Sequence, residues 1–277
     1  MIRMETRLNK YLAQCGICSR RDADKLIEQN AVTVNGETAL SGMKVTEEDD
    51  IRVRGKRIRS REKKVVLAFY KPVGVTCTEK DKHAEVKIQD VLHYPVRLTY
   101  AGRLDKESEG LLIMTNDGEL IDAMMRGANR HEKEYIVSVN KPLTETALAR
   151  MREGVYLKEL ELTTRPCEIT QLGKSTMRMI LTQGINRQIR RMCRETGYGV
   201  RKLKRTRVMN IELADMKPGE YRELTEAERK ELYALCFPNR NKDTGQRKLP
   251  EDLGMEEISI HAEGKEKSNE RAGHDFK

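Results

Sequence analysis

Tryptophan is absent from the 277 residues, and three Phe with nine Tyr bring the aromatics to only 4%. The core must therefore rest on Leu, Ile, Val and Met rather than on large rings. Long apolar runs are missing too. No stretch approaches the about 20 residues needed to span a bilayer, and Met1-Ile2-Arg3-Met4-Glu5 is not followed by an apolar run of signal-peptide length. The expectation is a cytoplasmic protein with no membrane contact. Six cysteines include one Cys-x-x-Cys, Cys15-Gly16-Ile17-Cys18, but no second pair and no His at zinc-ligand spacing. Reduced, largely buried thiols are expected, and no metal site.

What the chain has in excess is charge. Charged residues make up 35% and hydrophobic ones 38%, against the usual about 25% and about 45 to 50%, so part of the chain is expected outside any core. That part is the C-terminus, where Arg240 to Lys277 carries eight basic and nine acidic residues. It reads as a disordered polar tail over 239–277, and its balanced charge gives it no claim on an anionic partner. The net charge of +9 favours such a partner elsewhere, nucleic acid above all. Between Gly184 and Arg207 stand nine Lys or Arg (Arg187, Arg190, Arg191, Arg194, Arg201, Lys202, Lys204, Arg205, Arg207) against Glu195 alone. This cluster could hold phosphates; the plainer reading is a solvated basic helix.

Length suits one small and one large domain. Leu8, Tyr11 and Leu12 share a helical face, and Ser19 suits an N-cap for a helix from Arg20 to Glu28 with Ala23, Leu26 and Ile27 inward. Val32-Thr33-Val34 with Asn35-Gly36 reads as a strand and hairpin turn, and Ile51-Arg52-Val53 as a later strand. The charge-dense stretch around 61–64 reads as a linker. Beyond it, Val65 to Tyr70, Gly110 to Thr115, Glu134 to Val139 and Met177 to Thr182 read as strands and Thr144 to Glu153 as a helix. Without regular alternation of strand and helix, this describes an α+β domain over 65–238, its sheet mixed and largely antiparallel, flanked by helices.

The most distinctive segment runs from Thr99 to Gly118 and places Gly102-Arg103-Leu104-Asp105 on a tight loop before the buried run Gly110 to Thr115. A carboxylate held between strands is placed by rigid backbone, which suits a nucleophile or base. By pattern alone, an ordinary loop ion pair between Arg103 and Asp105 is the simpler reading.

Two resemblances change that balance. Arg7-Leu8-Asn9-Lys10-Tyr11-Leu12, Cys18-Ser19-Arg20-Arg21 and Val32-Thr33-Val34-Asn35-Gly36 resemble the S4 RNA-binding domain, which over residues 1–60 implies Arg20, Arg21 and Lys25 as RNA contacts. Gly102-Arg103-Leu104-Asp105, Gly110-Leu111-Leu112 and Thr115-Asn116-Asp117-Gly118 are similar to the signature of the RsuA-type branch of pseudouridine synthases. Lys71-Pro72-Val73-Gly74, Lys133-Glu134-Tyr135 and Gly184-Ile185-Asn186-Arg187-Gln188-Ile189-Arg190-Arg191-Met192 agree with that branch in order and spacing. His131 to Tyr135, Asn186 to Cys193 and Arg205 to Asn210 look closest to its RluF-type members, which modify large-subunit (23S) ribosomal RNA. Ser108 stands where many members have Thr.

The resemblance implies a pseudouridine synthase fold and an enzyme that isomerises a uridine in ribosomal RNA. It implies Asp105 as the essential carboxylate, Tyr135 beside the target base and Arg190 paired with Asp105. It further implies Arg103 in the space left by a flipped base, and Lys71, Asn186, Arg187, Gln188 and Arg191 as RNA contacts. Pseudouridine formation gains and loses no atom, so no redox or group-carrying cofactor is needed. Asp105 could attack C1′ or C6, or act on the C2′ proton. Transfer RNA as a further substrate and a monomeric state complete the expectation. The rival from another class is a noncatalytic RNA-binding or ribosome-assembly protein. A more remote one is a phosphate-releasing hydrolase, which lacks the extra carboxylates a magnesium ion would need.

Overall fold

A computed structural model describes residues 5–58, 63–78 and 84–238. The tail expected at 239–277 and residues 61 and 62 of the expected linker lie outside them.

Two short helices open the chain. In α1 (Leu8–Gln14), Leu8, Tyr11 and Leu12 are buried on one face, as their spacing demands. α2 (Arg20–Glu28) starts where the Ser19 hydroxyl accepts a hydrogen bond from the Asp22 amide, 3.2 Å away. It turns Ala23 and Ile27 inward and leaves Arg20, Arg21 and Lys25 exposed. Strands β1 (Val32–Val34), β2 (Glu37–Thr38), β3 (Ile51–Val53) and β4 (Lys56–Ile58) follow, paired antiparallel in the order β2-β1-β3-β4. The apolar cluster beneath them, with Leu8, Leu12, Ile27, Val32 and Ile51, draws on no residue beyond Ile58.

The remaining chain builds a nine-stranded sheet from β5 (Val66–Lys71), β6 (Thr99–Ala101), β7 (Glu109–Thr115), β8 (Lys133–Val139), β9 (Glu168–Gly173), β10 (Thr176–Leu181), β11 (Val200–Val208), β12 (Ile211–Glu212) and β13 (Tyr221–Glu223). Its path is β9-β10-β8-β11-β7-β5-β13, with β6 paired to β7 and β12 to β11. Every pairing is antiparallel except that of β11 with β7, which runs parallel with Lys204 opposite Glu109 and Arg205 opposite Gly110. Two antiparallel halves thus meet at one parallel seam, and the expected α+β class with a mixed sheet holds.

Both faces of the first half are covered, which explains why β5 reads as an unbroken apolar run. Val66, Ala68 and Tyr70 join a cluster roofed by α3 (Gly118–Met125) and by a C-terminal helix, Glu226–Cys236, while Leu67 and Phe69 join a second cluster with Leu104, Leu112 and Met114. In the other half, α4 (Glu145–Glu153) and α5 (Gln188–Glu195) pack Leu148, Met151, Ile189 and Met192 against Val137, Met177 and Leu203. The Glu226–Cys236 helix is α6 below.

The basic segment from Arg187 to Arg207 is not one helix. α5 ends at Glu195, and Val200 onward is the inner strand β11. Leu203, Arg205 and Val208 are buried there while Arg201 and Lys202 remain exposed.

Candidate active site

Register across the seam decides which side chains share a face. Tyr135 of β8 pairs with Arg205 of β11, Arg205 with Gly110 of β7, and Gly110 with Lys71 of β5. Residues directly opposite point to the same side of a sheet, so these positions form one row beneath the Asp105 loop. Gly110, at φ +110°, offers no side chain, and the Arg205 backbone passes so close to it that a Cβ would not fit. A register shift between Glu134 and Tyr135 marks a bulge beside the site, a usual way of re-aiming a side chain. Lys133 is two residues before Tyr135 on β8, hence on the same face. Above the row opens a cleft of about 320 Å3 lined by Arg103, Asp105, Lys133, Tyr135, Arg187 and Arg205 among others.

The loop carrying Asp105 is tied at several points. The Ser108 amide donates to the Asp105 carbonyl at 3.0 Å, and the Gly74 amide to the Lys106 carbonyl at 2.8 Å. The buried Leu104 anchors the loop in the apolar cluster. Arg205 donates from Nε to the Leu111 carbonyl at 2.6 Å and from Nη1 to the Arg103 carbonyl at 3.4 Å. One buried guanidinium therefore touches the backbone before Asp105 and after it.

Two arginines from the start of α5 face the carboxylate. Arg190 Nε lies 3.9 Å and Arg187 Nη1 3.7 Å from Asp105 Oδ2. Both are ion-pair distances without a direct hydrogen bond. Arg190 is aimed by its Nη2, which donates to the Glu107 carbonyl at 3.1 Å and to the Ser108 hydroxyl at 3.2 Å. Ser108 is itself buried, so the hydroxyl retained at this position has a definite partner. Arg187 also donates to Glu107 Oε2 at 2.9 Å and sits in the left-handed region at φ 52°. Two guanidinium groups thus stand beside a carboxylate of the type that serves as nucleophile or base.

The cleft brings together Arg103, Asp105, Tyr135, Asn186 and Arg187, with Arg190 behind the carboxylate. Arg103, Asn186 and Arg187 are exposed at its mouth. Arg191 lies outside the cleft, in an ion pair with Glu159 that also takes in Arg194. Two residues expected to touch RNA are turned inward. Gln188 is buried, accepts from the Ile185 amide at 3.2 Å and donates to Met192 Sδ, so it braces the loop before α5. Lys71 is wholly buried and donates to the Pro72 carbonyl at 2.7 Å; burial pulls its pKa down to about 8. Arg20, Arg21 and Lys25 do not reach the cleft, and Arg20 stands 3.8 Å from Asp122 of α3.

Two cleft residues escaped the sequence reading. Lys133 was only part of a matching segment, and Arg205 was counted with the solvent-facing cluster. Burial, with Arg205 adding to it, pulls the Lys133 pKa down to about 8. The strand alternation Lys133-x-Tyr135 was the signal available for the first; nothing local signals that an arginine is buried.

No helix among the described residues is long and apolar enough to cross a membrane. Nor does any group of three or more His, Cys, Asp or Glu among them offer a metal site.

Residues 65–195 match the RNA pseudouridylate synthase family and residues 6–51 the S4 domain. The chain is 44% identical to the dual-specificity RNA pseudouridine synthase RluF of Escherichia coli (strain K12), over 83% of this chain and 79% of that protein. It is 35% identical to the ribosomal large subunit pseudouridine synthase B of Bacillus subtilis (strain 168), over 85% of this chain and 98% of that one. A crystal structure of a pseudouridylate synthase superposes with a TM-score of 0.61 at 30% identity, covering 82% of this chain and 99% of its own. With relatives of this identity and coverage, the chain belongs to the RNA pseudouridylate synthase family and carries an S4 domain before the catalytic fold.

Proposed function

We propose that this protein isomerises one uridine of large-subunit ribosomal RNA to pseudouridine in the cleft at the parallel seam, with Asp105 as the essential carboxylate. The observation that carries this reading is the convergence of Asp105, Arg190 and Tyr135, from a loop, a helix and a strand far apart in sequence, on one cleft. A stacked uridine does not expose C1′ or C6, so the nucleotide must leave the helix at a cost of about a few kcal/mol. Arg103, exposed beside Asp105, suits the space the base vacates, since a guanidinium plane stacks on bases. Tyr135 presents its ring to the uracil. Arg190 stands beside Asp105 as it acts on the sugar or the base. Exposed Arg20, Arg21 and Lys25 would hold the folded RNA on the S4 side.

The relatives named dual-specificity support a second structured RNA, which we take to be a transfer RNA. The protein is taken to work as a monomer in the cytoplasm, where such RNA is found. The test is to map pseudouridine in ribosomal and transfer RNA from cells with the wild-type protein, with none, and with Asp105→Ala. One ribosomal position should lose its modification in the last two. An alanine variant that still installs it would overturn the assignment, and loss of no position in the strain lacking the protein would favour a noncatalytic RNA-binding role.

A further inference from the structure

Lys133 and Arg205 place two cations in the wall of the cleft. Arg205 is only 2% exposed, and its Nη2 is buried with no hydrogen-bond partner among the described residues. Its other nitrogens meet only backbone carbonyls. Lys133 likewise donates to a backbone carbonyl, that of His131, at 3.2 Å. Neither forms an ion pair with a carboxylate among the described residues. A cation shielded from water without a counter-charge is costly, and Arg205 is buried in this way while Lys133 is half-buried at the cleft wall. Both line the cleft beside Tyr135, one along its strand and one directly across from it, so the ring that faces the uracil is flanked by positive charge. Lys71 lies behind them in the same row.

The chemistry of the isomerisation supplies the missing anion. When the N1–C1′ bond opens, its electron pair stays with the base. If Asp105 bonds to C1′, the uracil leaves as an anion, and if Asp105 takes the C2′ proton, the uracil leaves as the same anion. If Asp105 adds to C6, the pair is pushed towards C5 and O4 before the sugar is released. In each route negative charge resides on the ring and its carbonyl oxygens. It is discharged when C5 bonds to C1′, any bond to Asp105 opens with its pair returned to the carboxylate, a proton taken from C2′ is given back to C2′, and the C5 proton is passed to N1. No atom is gained or lost.

We propose that Lys133 and Arg205 are catalytic residues that stabilise this negative charge on the uracil while it is detached from, or being detached from, the ribose. Fixed cations aimed at charge that develops only during reaction lower the barrier without tightening substrate binding. The role is independent of which atom Asp105 attacks. It rests on the reading of the cleft given above.

The test compares single-turnover rates on a short RNA spanning the mapped site, carrying either uridine or 5-fluorouridine at the target. Fluorine at C5 withdraws electrons and makes the uracil anion more stable by itself, so less help is needed from the protein. The rate is read on both RNAs as loss of the original target nucleoside in chromatography of nuclease digests, because 5-fluorouridine has no C5 proton to pass on and its C5-linked product stops short of pseudouridine; RNA affinity is read by filter binding. Lys133→Gln and Arg205→Gln should slow the uridine RNA about 100-fold with affinity within about threefold of wild type. On the fluorinated RNA the loss should shrink by about tenfold or more, and Lys133→Arg should keep most of the rate. Equal losses on the two RNAs would mean that the residues only shape the cleft, and would overturn the proposal; so would wild-type rates in the glutamine variants. Should Arg205→Gln fail to fold, Lys133→Gln decides alone. Asp105→Ala separates the two readings: if it stays active, the assignment of the cleft fails, whereas an inactive Asp105→Ala beside a fully active Lys133→Gln sinks the present proposal only.

Discussion

A side chain at Gly110 would place its Cβ 2.2 Å from the Arg205 carbonyl oxygen and 2.6 Å from its amide nitrogen. Those are backbone atoms of the partner strand at the parallel seam, and they cannot swing aside. The residue also sits at φ +110°, where L side chains are strained. Gly110→Ala should therefore cost about 3 kcal/mol or more, seen as a large fall in midpoint in thermal or urea unfolding. A variant within about 1 kcal/mol of wild type would show that the seam is not held as described.

Ser108 aims Arg190 through its hydroxyl. Ser108→Ala removes one acceptor from Arg190 Nη2 and leaves the Glu107 carbonyl, so a loss of about 1 kcal/mol of transition-state stabilisation is expected, about five- to tenfold in kcat. RNA affinity should hold, and Ser108→Thr should restore the rate by restoring the hydroxyl. A loss that Thr does not repair would point to packing instead.

The rate should also fall as pH rises through about 8. The Lys133 pKa is lowered to about 8, so the cation is present below that pH and disappears above it. The charged group facing it is Arg205 from β11, which adds to the effect of burial, while His131 on its own segment is itself pushed below 6.5 and is neutral near pH 8. Lys71 is also pulled down to about 8. Lys133→Arg separates the two lysines, because it should move the alkaline fall to higher pH in a single-turnover profile. If the fall stays in place, Lys71 or another group is responsible.

Glu159 pairs with both Arg191 and Arg194 on the outer face of α5 and so competes with RNA phosphate for them. Glu159→Gln should free two positive charges, tighten RNA binding by about three- to tenfold at low salt, and steepen the salt dependence measured by filter binding. Unchanged affinity and slope would place this face away from the RNA.

Stability should carry a signature of the α6 start. Glu228 closes a capping box with Thr225 and takes two 2.8 Å hydrogen bonds from Arg222. These hold its folded pKa at about 2, below its ordinary 4.5. The stabilisation is therefore complete above the unfolded value and is lost as pH falls through the folded one. Glu228→Ala should lose about 1 to 2 kcal/mol at pH 7, and the gap to wild type in urea unfolding should narrow between about pH 5 and pH 2. A gap that does not change with pH would leave only packing as its cause.

Much of this architecture was legible because local physics wrote it locally. Ser19 caps α2 as its hydroxyl suggests, Thr144, expected as the first residue of a helix, is instead the cap of α4, and the alternating Met177, Met179 and Leu181 give a strand with one buried face. The segment around Asn116-Asp117-Gly118 was read as a turn. It is one, but Asp117 also caps α3 through the Glu119 and Leu120 amides, which the turn signal concealed. Lys71 and Gln188 looked like surface groups because their types usually are, and only the packing around them shows otherwise.

The sequence by itself determined the apolar faces of the elements and the loop that carries Asp105, since periodicity, caps and turn residues act over a few neighbouring positions. It also displayed the motifs that assign the chain to its family. Only the tertiary structure decided that β11 lies parallel to β7, because strand pairing depends on which distant segments bury one another's faces. That pairing sets Arg205 opposite both Gly110 and Tyr135, turns an arginine of the basic cluster into a buried cation beneath the Asp105 loop, and brings Arg190 within 3.9 Å of Asp105.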